Sequence, residues 1–92
     1  NKNNILVIPV GIAFENAYYA NPNIMLHKEY DGSHPSLLGT YLAACVVYSS
    51  ITQESPKEIS YNYFDHISDE ERIFLQEIAN STVENFYNIK LN

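Results

Sequence analysis

Cationic side chains are scarce. Five lysines and arginines stand against eleven aspartates and glutamates, giving a formal net charge of −6. Phosphate binding needs clustered cations, so this balance disfavours nucleic acid and anionic membrane surfaces as partners. Cysteine is nearly absent. The single Cys45 rules out an intrachain disulfide framework. It lies in an apolar helical run, where a free Cys acts as a small core hydrophobe. No apolar run approaches the ~18–20 residues that a spanning helix needs, so no membrane span is expected. No signal peptide is visible, which leaves the compartment open, cytoplasmic or exported.

What is there is enough for one small domain covering residues 1–92. An apolar fraction of 46% argues against a disordered chain. A chain of this size buries only roughly 60–65% of its unfolded surface, so its packing must be good. Tyrosine, with eight copies, supplies most of the aromatic weight.

The run Asn4-Ile5-Leu6-Val7-Ile8-Pro9-Val10-Gly11 is continuously apolar, β-branched and ended by Gly. That pattern reads as a strand buried on both faces, ending near Pro9, which cannot donate to a ladder. Residues 12–20 suit a short helix, broken by Asn21-Pro22-Asn23. Ile24-Met25-Leu26 suits a short extended segment. Residues 35–52 form the clearest helix, with Leu37, Leu38, Tyr41, Leu42, Cys45 and Tyr48 on one apolar face. Gly39 inside it costs about 1 kcal/mol against Ala, and is expected where the helix backbone meets a neighbour closely. Residues 55–67 read as a loop anchored by Tyr61, Tyr63 and Phe64. Ser68-Asp69-Glu70-Glu71 is a capping box that opens the last helix, with Phe74, Leu75, Ile78, Thr82 or Val83 and Phe86 as its buried stripe.

One strand cannot stand alone, because a strand buried on both faces needs parallel neighbours and crossover helices. The expectation is therefore the C-terminal part of a larger α/β domain, or a chain that completes its sheet with a second chain.

The chemistry concentrates in Asp31-Gly32-Ser33-His34-Pro35-Ser36. The residue before a proline is pushed out of the α region, so His34 is expected to be extended at the mouth of a helix that Pro35 opens. Asp31, three residues earlier, is placed to orient the imidazole and leave Nε2 as a base, as the acid does in a serine-hydrolase triad. The bland alternative is that Asp31 is a turn residue and His34 only a helix-entry residue.

The longer pattern Asp31-Gly32-Ser33-His34-Pro35-Ser36-x-x-Gly39-x-Tyr41-Leu42-Ala43-Ala44 resembles the last block of the SGNH (GDSL-type) hydrolases. Val7-Ile8-Pro9-Val10-Gly11-Ile12-Ala13-Phe14 is similar to the segment preceding that block in esterase-like members. The resemblance spans about residues 5–56. It implies a three-layer α/β/α fold of flavodoxin-like type, with one clear strand and two main helices contributed here. It implies ester hydrolysis by a Ser-His-Asp triad in which His34 is the general base and Asp31 its orienting acid, with no metal and no cofactor. The Gly-Asp-Ser nucleophile block and the Gly and Asn oxyanion blocks of the family are missing. Ser33 and Ser36 flank His34 too closely in sequence to reach Nε2 in attack geometry. The nucleophile is thus expected outside these residues, and the chain alone is expected to be inactive.

The implied substrate is a small-molecule or glycan ester. Phe14 and Glu15, just past the expected strand end, are candidates for the substrate pocket. The rival reading is a non-catalytic, hydrolase-like interaction or carbohydrate-binding module, for which the Tyr-rich 61–64 loop would stack on sugar. Three weaker patterns remain. His27-x-x-x-Asp31-x-x-His34 has metal-ligand types but no regular spacing. Asp65-His66 reads as surface or packing. Asn80-Ser81-Thr82 matches a glycosylation sequon but falls inside the last helix.

Overall fold

A computed structural model of the chain describes residues 7–27, 36–59 and 67–92. Those residues form three α-helices: α1 over Val10–Ala20, α2 over Leu37–Thr52 and α3 over Asp69–Tyr87, with a 3₁₀ turn at Pro56–Glu58 before α3. Each helix packs on the other two, most extensively α2 on α3.

The expected α/β architecture is overturned: there is no sheet among the described residues. Within the expected strand, residues 7–9 have no regular structure and the chain is already helical at Val10. Residues 4–6 lie outside the described residues. The physical reason is periodicity. Val10, Ala13, Phe14, Ala17 and Tyr18 recur at helical three- and four-residue spacing, and Ala13 and Ala17 are fully buried. Pro9 sits at the N-cap of α1 with φ −83°, close to its ring-fixed value, so it opens a helix instead of ending a strand. The helix stops at Asn21, which precedes Pro22 and is extended at φ −144°. The expected helix at 12–20 is thus present and begins two residues earlier.

α2 starts later than Pro35. Ser36 is its N-cap, and the Ser36 hydroxyl accepts from the Gly39 N–H at 3.1 Å. A Ser directly before an apolar helical run is an N-cap signal. Gly39 is used as expected. A Cβ there would collide with the Leu26 carbonyl oxygen and would lie 3.2 Å from Cζ of Phe14. The buried face holds Tyr41, Leu42, Cys45, Val46, Ser49 and Ser50. Leu37, expected on that face, points outward with Val47 and Ile51. The helix ends at Gln53 in the left-handed region, φ 60°.

α3 opens with the expected capping box. Ser68 Oγ accepts from Glu71 N–H at 3.1 Å, and Glu71 Oε1 accepts from Ser68 N–H at 3.0 Å. Asp69, Glu70 and Glu71 complement the positive end of the helix dipole. Leu75, Gln76, Ala79, Thr82 and Val83 are buried, whereas Phe86 is 41% exposed and does not belong to the stripe. Ile67 and Leu91 close the core at either end of α3.

Polar side chains bind the helices together at three points. Asn16 on α1 donates to Thr82 on α3 at 2.9 Å. Gln76 on α3 donates to the Tyr41 hydroxyl on α2 at 2.9 Å and to the Ile59 carbonyl at 2.5 Å. Ser55 donates to the Asn80 side-chain oxygen at 2.8 Å. The asparagine of the sequon is therefore a packing residue, and its Thr82 is buried.

Candidate functional site

Asp31 and His34 lie outside the described residues, together with Ser33 and Pro35. What the structure describes is the pair of segments on either side of them. The Ser36 N–H donates to the Leu26 carbonyl at 2.7 Å, and the Ser36 hydroxyl donates to the Met25 carbonyl at 2.5 Å. The same hydroxyl accepts from Gly39. Chain positions 26 and 36 are thus hydrogen-bonded to one another. Gly39 lets α2 lie against Leu26 at this point, because any side chain would strike the carbonyl. The Ser36 hydroxyl, with its proton on Met25, is engaged in structure and is not poised as a nucleophile.

His27 marks the other side of the junction. Its Nδ1 shares a 2.9 Å hydrogen bond with the Tyr18 hydroxyl. Its ring lies nearly parallel to that of Tyr18, at 6.1 Å, and tilted against Phe14 at 5.3 Å. Phe14 and Tyr18 are one helical turn apart on α1, so α1 presents both rings to His27. Phe14, half-buried, reaches both His27 and the Gly39 backbone. Glu15 points to solvent on the other side of the helix. Both residues stand within α1 and not after a strand, as the sequence had suggested.

Beside this junction lies a groove of about 500 Å³. Ile24, Met25, Leu38 and Phe74 provide its apolar surface, and Asn21, Asn23, Glu70 and Glu71 its polar surface. Met25 and Leu38 belong to the same corner that Ser36 ties together. This groove had no local signal in the sequence, because its residues come from three separate stretches that only the fold joins.

Cys45 is fully buried and behaves as a core hydrophobe. Burial pushes its thiol up to about 11. Burial also raises Tyr41, to about 12, with the neighbouring Cys45 adding to the shift. Neither group is an activated nucleophile, since a thiolate is disfavoured there at neutral pH. Among the described residues, no group of three His, Cys, Asp or Glu side chains is arranged to hold a metal ion. No helix among them is long and apolar enough to cross a membrane. Asp65-His66 and the Tyr61, Tyr63 and Phe64 anchors lie outside the described residues.

No family model matches the chain, and neither a curated protein nor a solved structure matches it.

Proposed function

We propose that the chain supplies the general base and the orienting acid of a serine ester hydrolase. His34 takes the proton from a serine hydroxyl as that serine attacks the ester carbonyl. It then returns the proton to the leaving alcohol. Asp31 holds the imidazole by its Nδ1–H and stabilises the imidazolium that forms. The serine comes from polypeptide outside these 92 residues.

The motif carries this reading, not the fold. Asp31-Gly32-Ser33-His34-Pro35 runs directly into Ser36, the cap of an apolar helix that needs glycine at position 39. The hydrogen bonds from Ser36 to Leu26 and Met25 support it further. They fix the backbone two residues after His34, and a base that must meet an external nucleophile needs a fixed point of attachment.

The test is hydrolysis of p-nitrophenyl acetate by the full-length enzyme. Asp31→Asn should lower kcat by about 10⁴ with KM little changed, because it supports the wrong imidazole tautomer. Near-normal turnover in that variant overturns the assignment. A fluorophosphonate probe should leave the isolated chain unlabelled, and labelling at Ser33 or Ser36 would place the nucleophile inside it.

A further inference from the structure

The groove between the end of α1 and the start of α3 is lined by residues that the triad reading does not use. Its lining is nevertheless selective. Asn21 and Asn23 bring two amides, and Glu70 and Glu71 bring two carboxylates. Among the described residues, no lysine, arginine or histidine lines it. The carboxylates therefore repel fatty acids, phosphates and other anions that an apolar cleft would otherwise accept.

The polar groups and the apolar surface together select among the remaining ligands. An amide offers a donor and an acceptor in one plane, and a carboxylate offers acceptors only. Hydroxyl groups both donate and accept, so a polyhydroxylated ligand can satisfy both kinds of partner at adjacent positions. A long alkyl group would give the amides of Asn21 and Asn23 and the carboxylate of Glu70 nothing in exchange for the water it displaces from them. Phe74 and Leu38 offer a non-polar surface for the C–H face of a ring. A volume of about 500 Å³ falls at the lower end of small-ligand sites.

We infer that this groove binds a neutral pyranose sugar. Asn21, Asn23 and Glu70 hold its hydroxyls, and Phe74 packs on its ring. Met25 and Leu38 connect the groove to the Ser36 corner. Sugar binding here does not rest on the esterase reading.

The experiment is a titration of the isotope-labelled 92-residue chain, followed by NMR, with methyl β-D-glucoside and cellobiose. Hexanoate, phosphate and choline are run in parallel. Saturable shifts are expected at the side-chain amides of Asn21 and Asn23 and at the Met25 methyl, with Kd on the order of 1 mM. Asn21→Ala and Asn23→Ala, at exposed positions, should each weaken binding by about tenfold while the rest of the spectrum stays in place. Phe74→Leu should weaken it at least as much. Absence of saturable sugar shifts at these groups overturns the inference, as does tighter binding of hexanoate or choline at the same groups. Sugar binding by a chain whose full-length enzyme hydrolyses no ester sinks the triad and leaves the groove standing. Ester hydrolysis without sugar shifts does the reverse.

Discussion

Gln76 reaches across from α3 to Tyr41, 35 positions earlier on α2, and its amide nitrogen donates to the phenol oxygen at 2.9 Å. The same nitrogen donates to the Ile59 carbonyl at 2.5 Å, so one buried amide joins both main helices to the segment between them. Gln76 and Tyr41 are each only 2% exposed. A buried amide is tolerated when its donors have partners, and it then specifies one arrangement of the elements it touches.

Gln76→Leu keeps the volume and removes the donors. The Ile59 carbonyl then loses a partner where water is scarce. The variant should lose about 1–3 kcal/mol of unfolding free energy in urea titration. An unchanged midpoint would show that the bridge contributes nothing net.

The two helical glycines predict opposite signs. Gly39→Ala gains about 1 kcal/mol of helix propensity. Its new Cβ meets the rigid Leu26 carbonyl, and overpacking of that kind costs about 1–3 kcal/mol. A Cβ added at Gly11 would meet nothing within 4 Å, so Gly11→Ala should raise stability by roughly 0.5–1 kcal/mol. Thermal melts of the pair check this, and a Gly39→Ala protein as stable as Gly11→Ala would disprove the close approach.

Stability should fall on the alkaline side. Tyr41 and Cys45 are held neutral by burial, with Cys45 raised from 9.0 to about 11 and Tyr41 from 10.0 to about 12. The unfolded chain releases both protons first, so it binds fewer protons than the folded chain in that window. By linkage, the contribution is complete below about pH 9 and is lost as pH rises through the folded values. Urea midpoints between pH 8 and 11 should decline more steeply for the wild type than for Cys45→Ala. Parallel slopes in the two proteins would remove Cys45 from the account.

Ser49 and Ser50 are buried, and neither hydroxyl has a hydrogen-bond partner among the described residues. Orphan buried hydroxyls are costly. Ser49→Ala should therefore stabilise the protein by about 0.5–1 kcal/mol in the same urea assay. A destabilised variant would mean that the hydroxyl is satisfied in solution.

How much of this was readable from residues depends on whether the signal was local. The capping box at Ser68 needs only four consecutive residues, and it was legible. The Leu42 and Cys45 face of α2 follows from spacing alone. Gly39 was legible as a close approach, but Leu26 as the neighbour was not, since nothing local relates the two. The strand expected at residues 4–11 failed because a short apolar run does not distinguish a buried strand from the entry of a buried helix. The Val10, Ala13 and Ala17 spacing is what separates the two. At the candidate site, Asp31 and His34 were legible as a motif. Ser36 as a cap was available from its position before Leu37. The Tyr18–His27 pair and the groove depend on how α1 lies across the chain, which no local pattern encodes.

α2 contains no charged residue, and one side of it leaves Leu37, Val47 and Ile51 open to water. The colloidal behaviour of the molecule then rests on charges carried elsewhere. Far above the isoelectric point near 4.8, mutual repulsion keeps copies apart despite that face. Acidifying toward pH 4.8 removes the repulsion and leaves the face unchanged, so solubility should pass through its minimum there, with light scattering rising as salt screens what charge remains.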